Sequence, residues 1–94
     1  MSFTQDRAEM IGVQAVAWLA ANDELLPVFM GATGASEADF REGVQDPVFQ
    51  GSVLDFLMMD DAWIVGFCDS VSLSYTVVAE ARAALPGGEQ LHWT

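Results

Sequence analysis

The side chains able to do chemistry are few and far apart. One histidine, His92, and one cysteine, Cys68, stand among 14 carboxylates and three arginines, with no lysine. A general base needs an orienting partner and a shielded site. His92 follows Gly87-Gly88 close to the end of the sequence, where chains are usually loose, and reads as a solvated tail residue. Cys68 closes an apolar stretch, Trp63-Ile64-Val65-Gly66-Phe67-Cys68. A nucleophilic thiol needs a cation or imidazole beside it to lower its pKa, and none is near in sequence. Cys68 therefore reads as a buried structural thiol. One cysteine allows neither an internal disulfide nor a thiolate metal cage.

The acidic pairs Asp23-Glu24 and Asp60-Asp61 could attract a hard cation. A calcium loop, however, needs oxygen ligands at alternate positions, a glycine bend and a closing glutamate. Neither pair has that spacing, and both stand where helices should begin, so they read as caps. Gly31-Ala32-Thr33-Gly34 has the glycines of a phosphate loop but not its lysine or preceding strand, and reads as a helix stop. No catalytic residue, metal ligand or cofactor is expected, and the chain reads as a protein that is not an enzyme.

Charge narrows the partners. The formal net charge is −11 at pH 7. Binding phosphates draws its strength from cations that displace counterions, so nucleic acid is excluded and anionic lipid opposed; solubility or a basic partner is favoured. Residues 47–73 are apolar and long enough to cross a bilayer, but Asp55, Asp60, Asp61 and Asp69 are costly in hydrocarbon. The stretch reads instead as two core helices broken at Asp60-Asp61. The opening Met1-Ser2-Phe3-Thr4-Gln5-Asp6-Arg7 lacks the basic and apolar regions of a secretory signal, so a cytoplasmic protein is expected.

At 94 residues the chain suits one small domain that buries roughly 64% of its extended surface on folding. Sustained alternation and Asn-Gly or Asp-Gly turns are missing, whereas helix signals recur. Six helices are predicted. The first, Gln5–Ala21, is capped by Ser2 or Thr4 and carries an apolar stripe of Ala8, Ile11, Ala15, Trp18 and Leu19. The second spans Glu24–Met30 and stops at the Gly31–Gly34 run. The third, Glu37–Val44, is capped by Ser36. Asp46-Pro47, a capping carboxylate and then proline at the first helical position, opens the fourth, which runs to Met59. Its apolar arc of Phe49, Val53, Leu54, Phe56, Leu57 and Met58 exceeds half the circumference. The fifth, Ala62–Ser70, is apolar nearly all round, which argues for burial. The sixth, Tyr75–Leu85, is capped by Ser72 or Ser74 and turns Glu80 and Arg82 outward. Elements this short predict an all-α fold, a compact orthogonal bundle of five or six helices, with residues 1–88 as one domain and 89–94 as a flexible tail.

Several of these segments also resemble a known family. Ala15-Val16-Ala17-Trp18-Leu19-Ala20, Phe29-Met30-Gly31-Ala32-Thr33-Gly34 and Asp46-Pro47-Val48-Phe49 carry the likeness, with Val53-Leu54-Asp55-Phe56-Leu57 and Ala81-Arg82-Ala83-Ala84-Leu85-Pro86-Gly87-Gly88. The Asp-Pro-x-Phe segment followed by Val-Leu-Asp-Phe-Leu is the most specific part. The chain resembles the uncharacterised alphaproteobacterial domain-of-unknown-function family 3572 over most of residues 5–88. The resemblance implies a small cytoplasmic bacterial protein and brings no activity or catalytic residue with it.

Two functions fit this reading. The first is a non-enzymatic helical protein-interaction module that self-associates or binds a protein partner, because the fourth and fifth helices hold more apolar surface than a small core needs. Its contact residues are Leu54, Met58, Met59 and Trp63, with Trp93 as an isolated aromatic anchor in the tail. The alternative is a small-molecule-binding domain whose apolar pocket is lined by Trp18, Phe56, Trp63 and Phe67, packed among glycines that could leave a gap.

Overall fold

Capping residues decide where the chain turns helical, and the computed structural model, which describes residues 4–86, shows them at work. α1 covers Gln5–Ala20, with Thr4 Oγ1 accepting from the Arg7 amide at 3.1 Å. α2 covers Leu25–Thr33; Asn22 Oδ1 accepts from the amides of Glu24 and Leu25 just ahead of it. α3, Glu37–Gly43, opens on a reciprocal capping box in which Ser36 and Asp39 each satisfy the other's amide. α4, Pro47–Leu57, and α5, Asp61–Val71, begin at Asp46 and Asp60, whose carboxylates accept from Val48 and Ala62. α6 covers Val77–Ala84. Each such cap contributes about 1 kcal/mol. The described residues contain six helices and no strand, an all-α bundle.

α4 is the hub. It packs most extensively on α1, then on α6, and also meets α3 and α5. Val53, Leu54 and Leu57 of α4 are fully buried with Ala8, Ala15 and Leu19 of α1, Phe67 of α5 and Val78 and Ala81 of α6. Large aliphatic side chains at such positions each contribute roughly 1.5–3 kcal/mol. Two glycines set how near the helices come. A Cβ on Gly12 of α1 would stand 2.7 Å from Cβ of Gln50 on α4, and one on Gly51 of α4 would stand 2.7 Å from Nη1 of Arg82 on α6.

Several expectations need correction. The pair Asp23-Glu24 does not cap α2: Asn22 does, and Glu24 makes no side-chain cap bond. α2 runs three residues beyond Met30, through Gly31, and ends only where Gly34 takes the left-handed conformation at φ 79°; a helix tolerates an exposed glycine, whereas a left-handed cap ends it. α4 ends at Leu57, so Met58 and Met59 lie in the turn that follows. α5 is not a buried helix: only Phe67 and Cys68 are buried, Trp63 and Ile64 are half-buried, and Val65 is 37% exposed. α5 lays one face on α1 and α4 and turns the rest outward. Ser72 does not start α6; it closes α5 in the left-handed region at φ 58°, and α6 begins two residues after Tyr75. Arg82, expected outside, is buried to 9% exposure.

Candidate functional site

Arg82 is buried because it has partners. Its Nε donates to Oδ1 of Asp55 at 2.6 Å and its Nη1 to the Pro86 carbonyl at 3.1 Å. A charge-assisted pair plus a carbonyl satisfies a fork that would otherwise be costly to enclose. The pair joins α6 to α4 and holds Asp55, half-exposed, on the outer face of α4.

Beside Asp55 the surface is hollow. A depression of about 370 Å³ lies between the C-terminal end of α2, α3 and α4, floored by Phe29 and Phe49. Asp39, Glu42 and Asp46 also line it. A second depression of about 430 Å³ continues along α4 past Asp55 and Phe56 to Met59. Both are bounded by Thr33 and Ser52, where they meet. The result is an open groove along Asp46, Phe49, Ser52, Asp55, Phe56 and Met59 that runs the length of α4, about 16 Å at 1.5 Å per residue.

The floor is held rigidly by rings. Phe29, Phe40 and Phe49 meet edge to face, with centroids 5.2–6.0 Å apart. Phe56 joins them through Phe29 at 5.2 Å and stacks on Trp63 at 4.6 Å and 21°. Gly43 permits this arrangement: a Cβ there would stand 2.5 Å from Cγ of Phe49. Four carboxylates line the groove and no basic side chain does. Asp39 and Asp46 each use one oxygen on a helix amide, Asp55 is paired with Arg82, and Glu42 is exposed.

The family model for proteins of unknown function, DUF3572, matches residues 5–88, all six described helices and both sides of this groove. The chain belongs to that family. No curated protein and no solved structure matches it. Membership in DUF3572 adds no residue role, so the functional reading rests on the geometry.

The residues expected to meet a partner are placed unequally. Leu54 is corrected: it is fully buried between α4 and its neighbours and cannot contact a partner. Met58 and Met59 are 41% and 75% exposed, and Met59 borders the groove. Trp63 is half-buried against Phe56. Trp93 and His92 lie outside the described residues. The four residues expected to line an aromatic pocket form two separate ring pairs, Phe56 on Trp63 and Trp18 on Phe67, the latter edge to face at 5.9 Å. Phe67 is fully buried, and of the four only Phe56 borders either depression described above.

Burial, and then the charge of Asp69, push the Cys68 thiol above its ordinary pKa, and its Sγ lies 3.5 Å from the Ser74 carbonyl. Tyr75 is likewise raised, first by its hydrogen bond to Asp69 at 2.9 Å. Among the described residues no three histidine, cysteine, aspartate or glutamate side chains converge as a metal site, and no helix is long and apolar enough to cross a membrane. Sequence reasoning missed Phe29, Thr33, Glu42 and Ser52 as neighbours. The spacing 46, 49, 52, 56, 59 was visible as one helical stripe, but its mixture of Asp, Phe, Ser and Met resembles neither a core face nor a solvated one.

Proposed function

We propose that the protein is a non-enzymatic helical interaction module that binds a partner protein along the outer face of α4. The observation that carries this reading is the open groove with a rigid aromatic floor, which runs out to Met59, the most exposed large hydrophobic side chain described. Adaptable methionine beside fixed aromatic rings suits a contact surface. A thiol with a raised pKa, capping carboxylates and a structural arginine offer no nucleophile or base for catalysis. Open depressions enclose a small ligand poorly, which disfavours the small-molecule alternative.

The test is site-specific photocrosslinking in the native cell. A benzophenone side chain is introduced at Ser52, at Met59 and, as a control away from the groove, at Glu80. The expected result is one saturable protein adduct from positions 52 and 59 that position 80 does not give. An absence of saturable adduct at 52 and 59, or the same adducts from all three positions, overturns the proposal.

A further inference from the structure

Resting on that reading, we infer that the groove's occupant is a basic amphipathic segment of another protein, with arginine or lysine at the α3 end and an apolar side chain at the α5 end. The two depressions differ in the way this requires. The first brings Asp39, Glu42 and Asp46 to one depression with the half-buried Phe49. A guanidinium or ammonium there meets carboxylate oxygens while its aliphatic stem lies against the Phe49 ring. The second has one carboxylate, Asp55, already paired with Arg82, and otherwise presents Ala32, Phe56 and Met59 beside its small hydroxyls. It suits a leucine-sized or aromatic anchor.

Charge decides among occupants. A second copy of this chain carries the same −11 and would bring carboxylates against carboxylates. Nucleic acid and anionic lipid are repelled for the same reason. A segment bearing positive charge is attracted over the whole acidic surface and then held where carboxylates and rings coincide. A groove of about 16 Å accommodates about three helical turns or a shorter extended stretch.

The experiment uses the full chain and a fluorescein-labelled peptide of about 14 residues alternating arginine, alanine and leucine, followed by anisotropy at about 0.15 M salt. Glu42→Lys and Ser52→Arg place a cation in the groove at exposed positions. Glu80→Lys makes the same two-unit change of net charge as Glu42→Lys, but outside the groove; Ser52→Arg changes it by one unit. Binding is expected to weaken about tenfold in each groove variant, as like charge at a contact requires, and less than about twofold in Glu80→Lys, where screening limits the effect. A peptide with serine for leucine is expected to bind at least about tenfold more weakly. Equal loss in Glu42→Lys and Glu80→Lys, with a smaller loss in Ser52→Arg, would show attraction to net charge alone and overturns the inference, as do indifference to the leucines and absence of binding. Amide shifts of the unmodified chain give a readout independent of the variants: perturbations must centre on Thr33, Glu42, Phe49 and Ser52, and a centre elsewhere overturns the assignment. A crosslinked partner whose contact segment is not basic would defeat this inference and leave the interaction module standing.

Discussion

Asp55 and Arg82, 27 residues apart in sequence, are joined by a 2.6 Å hydrogen bond from Nε to Oδ1 that ties α4 to α6. The guanidinium side chain is 10% exposed and the carboxylate side chain 40%, so the two partners have unequal stakes. Losing the carboxylate strands a buried cation; losing the arginine leaves an acid that water can reach. Asp55→Ala is expected to destabilise the fold by about 1–3 kcal/mol, below the figure for a wholly enclosed pair. In Asp55→Ala/Arg82→Met part of that loss should return. Urea denaturation of the single and double variants measures the coupling, and strict additivity would show that the pair contributes nothing as a pair.

Gly12 and Gly31 should respond to alanine with opposite signs. Both lie within helices, where alanine ordinarily gains about 1 kcal/mol. Around Gly31 no atom lies within 4 Å of an added Cβ, and Gly31→Ala is expected to stabilise by about that amount. At Gly12 the new methyl would meet the Gln50 Cβ at 2.7 Å. That contact is not the far end of a flexible chain, so α1 must move from α4, and Gly12→Ala should cost about 1–3 kcal/mol. Thermal or chemical melts of both variants give the two signs directly.

Leu54 and Met59 test which apolar residues of this region hold the core. Leu54→Ala should cost about 2–5 kcal/mol, because its side chain is fully enclosed. Met59→Ser should change stability by less than about 0.5 kcal/mol, since Met59 is 75% exposed. Comparable losses in urea midpoints would mean that the turn after α4 is covered.

Cys68 gives stability a slope at alkaline pH. Burial first, and Asp69 second, raise its pKa in the folded chain, so the folded thiol keeps a proton that the unfolded thiol releases. That contribution is fully present below the unfolded value, about 8.5, and is lost as pH rises through the folded value. Urea midpoints measured from pH 7 to 10 should fall more steeply for the natural chain than for Cys68→Ala. Alkylation of Cys68 should be slow in native buffer and fast in denaturant.

Four of the six described helix starts are legible because they are local, whereas those of α2 and α6 are not. Thr4, Ser36, Asp46 and Asp60 each satisfy amides within three residues, and each was readable from type and position. The second helix was cut short because Gly31 was given the stop that belongs to Gly34, and only backbone conformation separates the two glycines. Arg82 looked solvated because its helix position was judged without Asp55, which is remote in sequence. Leu54 looked available because the arc of α4 was counted before α1 and α6 were set against it. The groove was illegible for the same reason: Thr33 and Ser52 become neighbours only when α2 settles beside α4. Local chemistry writes the elements; who stands opposite whom is decided by the assembled bundle.

The ring series from Phe40 through Phe49, Phe29 and Phe56 ends on the indole of Trp63. Phe56 borders the second depression on one side and stacks on that indole on the other. Any guest that nudges Phe56 therefore alters the surroundings of a natural fluorophore. The molecule carries its own optical gauge of occupancy, and Trp63 emission can report an arriving guest with no dye attached.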